Sequence, residues 1–146
     1  MQRKQTPKFT NGKTENRSTK NTRKKKTERQ RLDAECLRIW SLCVRARDLT
    51  CRNCNSSGSL QAHHIVQRNY KASRYLLDNG ICLCAGCHWP EKLDPEKFRG
   101  VVISIIGEAK YLYMQETYRI NYKYTIDDLI EIKEELKSEL TRLRGE

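Results

Sequence analysis

The chain has 146 residues, of which 37% are apolar and 32% are charged, and its formal net charge is +11. A chain of this length supports one domain with a modest core. No apolar run approaches the roughly 18 residues of a membrane span, and no apolar segment of a secretory signal follows the basic start, so we expect a cytoplasmic protein without membrane contact.

The basic charge is concentrated at the start of the chain. Residues 1–31 hold twelve Lys and Arg against two Glu, whereas residues 32–146 hold seventeen basic residues against sixteen acidic ones. The first segment, which includes Lys24, Lys25 and Lys26, cannot bury enough apolar surface to order itself, so we predict a disordered basic tail. Its unbalanced charge favours a nucleic-acid partner, with a solubilising tail as the alternative.

A helix and two strands are predicted next. Apolar residues recur at helical spacing over residues 32–47. Cys36 and Cys43 lie seven residues apart on this apolar stripe, which indicates core packing rather than a redox or metal role. After a turn-rich segment, strands are predicted at Leu60–Val66 and Ile81–Leu83, with a basic loop between them.

The C-terminal region, residues 93–146, is predicted to be helical. Asp94 and Pro95 indicate a helix start, with Asp94 as N-cap and Pro95 at the first helical position. A capping box at Thr125 begins a long amphipathic helix that ends near Gly145. Because no catalytic residue types cluster in this half, we expect it to serve packing.

Four of the seven cysteines form two Cys-x-x-Cys pairs, at residues 51–54 and 84–87. A two-residue gap lets both thiolates of a pair face one ion, and zinc prefers four such ligands in a tetrahedron. The odd number of cysteines and the lack of an export signal disfavour a disulfide framework. Cys82 competes with Cys84, but only Cys84 keeps the spacing. We predict a structural zinc site, with two unrelated pairs of buried cysteines as the alternative; its ligands are Cys51, Cys54, Cys84 and Cys87.

The three histidines, His63, His64 and His88, fall within 26 residues. His88 as a spare zinc ligand is disfavoured, since four cysteines already complete a tetrahedron. We favour a second site in which His63 and His88 hold a divalent ion, while His64 acts as a neutral general base. Since neighbours in a regular strand point to opposite faces, the strand must bend or end at this pair. Asn79, in a turn signal, can hydrogen-bond the backbone near the base and hold its loop.

In combination these residues resemble the HNH endonuclease family, also described as ββα-metal or His-Me finger nucleases. The resemblance covers roughly residues 45–92 and rests on Cys-x-x-Cys, His63-His64-Ile65, Asn79-Gly80-Ile81-Cys82-Leu83-Cys84 and Cys87-His88. It implies an α+β fold in which residues 32–92 supply a helix and a zinc-stabilised ββα-metal core, with helices on either side.

The family's roles follow position by position. His63 takes the first metal-ligand position, where many members have Asp, and His64 takes the general-base position. Asn79 takes the middle asparagine position. His88 takes the final metal-ligand position, at the start of the short helix that crosses the strands. The family often has Lys a few residues later, whereas here Pro90 intervenes and predicts a shortened helix.

The resemblance implies hydrolysis of DNA phosphodiester bonds to 5′-phosphate and 3′-hydroxyl ends, assisted by a divalent ion. Mg²⁺ and Mn²⁺ are favoured, and Ni²⁺ and Zn²⁺ stay open. Arg68 and Arg74 are candidates for phosphate contacts, with an ordinary solvated loop as the alternative. Segments 40–48 and 124–129 resemble phage recombination nucleases of the NinG type, which implies DNA processing in the host cytoplasm. A protein partner stays unspecified.

A zinc-stabilised DNA-binding or assembly module without turnover is the rival interpretation, because it would share the zinc site and the basic tail. The set of His63, His64, Asn79 and His88 favours the nuclease, since binding alone does not require it.

Overall fold

The computed structural model describes residues 25–145, in which helices pack around a two-stranded antiparallel sheet. The strands are β1 (Leu60–His64) and β2 (Gly80–Cys84), and two single 3₁₀ turns, Lys71–Ser73 and Leu77–Asn79, lie between them. The helices are α1 (Glu28–Asp48), α2 (Ala85–His88), α3 (Pro90–Leu93), α4 (Pro95–Ile106), α5 (Glu108–Thr117) and α6 (Ile126–Arg144). The predicted mixture of helix and sheet is confirmed. Across residues 25–145, none of the helices combines the length and the apolar character that crossing a membrane requires.

Helix α1 begins at Glu28, inside the segment predicted as a disordered tail. Thr27 and Gln30 form a capping box, in which each side chain accepts a hydrogen bond from the other residue's backbone N–H, at 3.3 and 3.0 Å. This cap lies upstream of the apolar stripe, so hydrophobic periodicity alone places the helix start four residues too late. The rest of the predicted tail up to Lys24 lies outside the described residues.

One face of the sheet packs against α1 and α6. Cys36 and Cys43 are fully buried there, and their thiols donate to the backbone carbonyls of Leu129 and Leu136, each at 3.3 Å. The spacing of seven residues is the same on both helices, so the two contacts keep the helices in register. Burial is the main cause that raises the pKa of Cys36 to about 11. The predicted core role of these two cysteines is confirmed.

The opposite face of the sheet packs against α4 and α5. Side chains alternate along a strand, and Ile81 and Leu83 of β2 both point to this second face. They meet Phe98 and Val102 of α4 and Met114 of α5, all of which are buried. The sheet is therefore covered on both sides, which a two-stranded ladder needs for stability in water.

The predicted ends of the C-terminal helices are confirmed. Asp94 caps α4 by accepting a hydrogen bond at 3.0 Å from a backbone N–H of the first turn, and Pro95 is the first helical residue. Thr125 and Asp128 form the capping box of α6, and Gly145 ends that helix in the left-handed conformation. Local residue pairs of this kind depend little on the rest of the fold.

Strand β1 ends two residues earlier than predicted, because a side chain replaces its strand partner. His64 is the last paired residue and lies opposite Gly80. Beyond it, the backbone N–H and carbonyl of Val66 bond to the Asn79 side chain, at 2.7 and 2.9 Å. The ladder therefore stops at His64, where the sequence requires the chain to bend or end.

Gly80 permits a close approach of α1 to the sheet. A Cβ atom at this position would lie 2.5 Å from Cγ2 of Val44 and 2.8 Å from Cζ2 of Trp40, well inside van der Waals contact. Trp40 is fixed in place, because its indole N–H donates to the carbonyl of Leu76 at 3.0 Å. Glycine is therefore the residue that lets Trp40 reach the end of β1.

We expect Gly80→Ala to lower the free energy of unfolding by about 1–3 kcal/mol, the usual cost of an extra methyl group in a packed core. Gly100→Ala is the matched control, because a Cβ atom there meets nothing within 4 Å. In the middle of α4, that change should stabilise by up to about 1 kcal/mol. Urea denaturation measures both. A Gly80→Ala protein as stable as the parent would show that Trp40 and Val44 do not press on β2.

Candidate functional site

The four cysteines of the two Cys-x-x-Cys pairs converge at one end of the sheet. Their sulfur atoms all lie within 4.8 Å of one another, and those of Cys54 and Cys84 are 3.7 Å apart. Sulfur ligands on one tetrahedral zinc, each at about 2.3 Å, are separated by about 3.8 Å. The cluster can therefore hold a structural zinc ion, as predicted.

Backbone and amide groups stabilise thiolates in this cluster. Burial raises the pKa of Cys51, but hydrogen bonds from the backbone of Cys84, Cys54 and Asn53 outweigh burial and lower that pKa to about 6. The side-chain amide of Asn53 donates to Sγ of Cys87 at 3.3 Å and lowers the pKa of that thiol, but burial and the three neighbouring cysteines outweigh this bond and raise the pKa of Cys87 to about 12. Donors that face sulfur favour the charged form, which is the form that binds zinc.

Cys82, the competing ligand, lies outside the cluster. It is fully buried in the core that contains Trp40 and Leu129. Burial, followed by the charge of Asp48, raises its pKa to about 11. Alternation along a strand would place Cys82 and Cys84 on one face, but Cys84 is the last residue of β2 and the N-cap of α2, where the chain leaves the strand and its thiol joins the cluster.

We expect the purified protein to hold one zinc ion tightly at the cysteine cluster. Cys51→Ser or Cys87→Ser should lose this ion and unfold, because metal affinity of such a site is part of the folding free energy. Cys82→Ala is the matched control and should keep its zinc. Elemental analysis and thermal unfolding followed by circular dichroism measure both effects. Cluster variants that keep their zinc and their melting temperature would contradict the assignment.

A second group of potential metal ligands consists of His63, His88 and Glu91. Nδ1 of His63 lies 3.1 Å from Nε2 of His88, and Oε2 of Glu91 lies 3.1 Å from that Nε2 and 3.6 Å from Nδ1 of His63. Ligand atoms at about 2.1 Å from one ion are about 3.0 Å apart at neighbouring octahedral positions and about 3.4 Å apart in a tetrahedron. The three side chains are therefore spaced to share one divalent ion.

Glu91 is absent from the ligands predicted from the sequence. It follows His88 by three residues, a spacing that places two side chains on the same side of a helix. His88 is the last residue of α2 rather than the first residue of a crossing helix, which corrects the position that the resemblance implies. Pro90 has no N–H to continue the hydrogen bonds of α2 and instead begins α3, which carries Glu91.

Each imidazole of this group can offer a ring nitrogen to an ion. His63 is 9% exposed, and burial, followed by the charges of His88 and His64, lowers its pKa to about 3. Nδ1 of His88 lies 2.7 Å from Oε1 of Gln61. Because an amide oxygen accepts hydrogen bonds, Nδ1 of His88 donates, and the lone pair of its Nε2 faces the ligand group.

His64 has different partners from His63. Its ring stacks on Trp40 with centroids 3.8 Å apart, and its Nε2 lies 2.9 Å from the carbonyl oxygen of Arg74. A carbonyl only accepts, so Nε2 donates and Nδ1 keeps its lone pair. Burial lowers the pKa of His64 and outweighs the hydrogen bond to Arg74, and the charges of Arg68 and Arg74 lower it further. The ring is therefore neutral and has one free basic nitrogen.

Asn79 holds the chain that follows His64. It is fully buried, and besides its two bonds to Val66 its side-chain amide donates to the carbonyl of Ser73 at 3.1 Å. These bonds connect the first residues after β1 to the loop that ends at Arg74. Since the carbonyl of Arg74 holds the His64 ring, Asn79 fixes both the strand end and the loop that orient this imidazole.

His63 and His64 point to opposite sides of β1, yet both line one cleft of about 380 Å³. Both side chains reach this cleft because β1 ends at His64, where the chain bends. Glu91 lines the same cleft, as do Arg99 and Arg119 from the C-terminal half of the chain. Two of the three candidate ligands, His63 and Glu91, therefore line the same cleft as the candidate base, and His88 contacts both of them.

The candidate DNA-contact residues differ in whether their charges are already paired within the protein. Arg74 forms an ion pair with Asp33, and its Nε donates to the carbonyl of Arg68 at 2.8 Å, so its guanidinium serves the loop that holds His64. Arg68, Lys25 and Lys26 are exposed. These three, rather than Arg74, present charge to solvent.

Comparisons with known proteins found no relative of this chain. No protein-family model matches the chain, and no curated protein or solved structure matches it. The interpretation of the site therefore rests on its residues and their geometry.

Proposed function

We propose that this protein is a metal-dependent endonuclease of the HNH type, which hydrolyses phosphodiester bonds in DNA. One observation carries the proposal: His63 and Glu91, which form a ligand group with His88, line the same cleft as a neutral His64 that has one free ring nitrogen. A zinc module that only binds DNA needs neither a second ligand group nor a fixed base beside it.

In this proposal His64 acts as the general base. Nδ1 takes a proton from a water molecule whose oxygen attacks phosphorus, and the bond from phosphorus to the 3′ oxygen breaks. The leaving 3′ oxygen takes a proton from a second water molecule, which gives 5′-phosphate and 3′-hydroxyl ends. The imidazolium formed on His64 is stabilised in two ways. Its Nε2–H donates to the carbonyl of Arg74, and its ring lies against the electron-rich face of Trp40.

When bound to the ligand group, a divalent ion supplies charge stabilisation for a phosphate oxygen and for the leaving 3′ oxygen. His63, His88 and Glu91 would hold it. Two imidazoles and one carboxylate suit Mn²⁺, Ni²⁺ and Zn²⁺ better than Mg²⁺, which prefers oxygen ligands and water. The two imidazoles thus disfavour Mg²⁺, whereas the carboxylate of Glu91 is a ligand that Mn²⁺ also accepts, and cleavage should be tested with all four ions.

We expect His64→Ala to reduce DNA cleavage by roughly 10²–10⁴-fold, because it removes the base. It should leave ion binding intact, since His64 is not a ligand. His88→Ala and Glu91→Ala should weaken both ion binding and cleavage. Plasmid cleavage measures the rate, and Mn²⁺ titration followed by electron paramagnetic resonance measures binding.

Gln67→Ala is the matched control, because Gln67 lines the same cleft outside both groups. It should keep both properties. If His64→Ala cleaves like the parent, His64 is not the base. If the parent binds DNA but cleaves it with none of the four ions, the zinc-stabilised binding module replaces the nuclease.

The basic N-terminal segment should add phosphate contacts that vary with salt and not with sequence. Residues 1–24 hold eight Lys and Arg and one Glu. Each phosphate neutralised steepens the dependence of log affinity on log salt by about 0.9 on duplex DNA. Deleting residues 2–24 keeps the Thr27 cap and should flatten this slope, while single-turnover cleavage at saturating DNA stays near that of the parent.

A salt titration of DNA binding for the full-length and the truncated chain measures the change. Parallel slopes would show that residues 2–24 do not contact DNA, and would leave solubility or a protein partner as their purpose.

A further inference from the structure

Two arginines from the region of α4 and α5 line the cleft that contains His63 and His64. Besides these histidines and Glu91, the cleft is lined by Arg99 of α4 and by Arg119, two residues after the end of α5. The sequence pattern indicates only packing for this half of the chain, because basic residues on amphipathic helices commonly face solvent. Packing alone does not explain why these two arginines line the cleft.

Both guanidinium groups are held by neutral partners. Arg99 lies 5.5 Å from the centre of the Tyr111 ring, and Arg119 lies 6.0 Å from the centre of the Tyr70 ring. Arg119 also donates to the side-chain oxygen of Gln115. An aromatic face and an amide orient a guanidinium without neutralising its charge.

The charges of these two residues are also weakly compensated. Arg99 has Glu96 at 4.0 Å, at the limit of an ion pair, and that carboxylate is 87% exposed, so solvent screens the contact. Within residues 25–145, Arg119 forms no ion pair. Arg74, by contrast, is committed to Asp33. The cleft therefore contains two guanidinium groups whose N–H donors can bind an anionic ligand.

Each guanidinium is connected to a different part of the histidine pair. Arg99 follows Phe98, whose ring centre lies 4.8 Å from that of His63. Arg119 bonds to Gln115, whose amide donates to the carbonyl of Ile65 at 3.5 Å, directly after His64. One charge is thus anchored beside the ligand group and the other beside the base.

We propose that Arg99 and Arg119 form a two-point clamp for the phosphodiester backbone of a DNA strand. This inference rests on the proposed function and extends it, because it assigns α4 and α5 to substrate positioning. The two guanidinium groups bind phosphates on either side of the scissile bond, which lies between the ligand group and His64. Arginine suits this task because its fork of N–H donors matches two phosphate oxygens at once.

The test uses the full-length chain carrying His64→Ala, so that the DNA stays intact. Fluorescence anisotropy of a labelled duplex gives the slope of log affinity against log salt. Arg99→Gln and Arg119→Gln should each reduce the steepness of this slope by about 0.9, and the double variant by about 1.8. Arg99→Lys and Arg119→Lys should keep the slope, because a lysine still neutralises a phosphate.

Arg38→Gln is the matched control, since Arg38 is exposed on α1 and loses the same charge outside the cleft. Its slope should equal that of the parent. An equal loss in Arg38→Gln, unchanged slopes in the cleft variants, or no DNA binding by the parent would each overturn the clamp. Thermal unfolding of each variant confirms that the comparison involves folded protein.

Cleavage by the chain that retains His64 separates the two proposals. If that chain cleaves DNA while the cleft variants leave the slope unchanged, the clamp is wrong and the nuclease stands. If the slopes fall as expected but the chain cleaves nothing, the clamp stands as a binding site and the nuclease is wrong.

Discussion

The register of the β1–β2 ladder is the constraint on which the whole site depends. A ladder of five residue pairs is not stable alone, so contacts with other parts of the chain must fix its register. Cys84 fixes one end through the cysteine cluster, and Gly80 fixes the other by admitting α1. A slip of one residue would exchange the faces of His63 and His64. His63 would then point away from His88 and Glu91, and His64 would point away from Trp40. A structural zinc would thus stabilise the geometry of a site that it does not touch.

The candidate base is held by three elements that are far apart in the chain. Trp40 of α1 stacks on His64, the carbonyl of Arg74 fixes the tautomer, and Asn79 holds the backbone on both sides of the loop. Arg74 is in turn tied to Asp33 of α1. A histidine that must take a proton in one direction needs this restraint, because a freely rotating imidazole seldom has its lone pair aligned with the water.

Features set by a few neighbouring residues could be predicted from the sequence, whereas features set by packing could not. The cysteine cluster and the cap at Thr125 follow from local spacing, and the structure contains both. Glu91 joins the ligand group only because Pro90 ends one short helix and begins another. Arg74 has the charge of a DNA contact, but its partner Asp33 lies 41 residues away, so the sequence does not reveal that this charge is already paired.

The most direct test of the central claim is cleavage of a defined DNA duplex in water enriched in oxygen-18, with Mn²⁺ shown to be bound. Mass spectrometry of the products then identifies both the ends and the origin of the new oxygen. A nuclease with His64 as base transfers one labelled oxygen to a 5′-phosphate and leaves an unlabelled 3′-hydroxyl. Intact DNA in the presence of bound Mn²⁺, or label in a 3′-phosphate, would contradict this function.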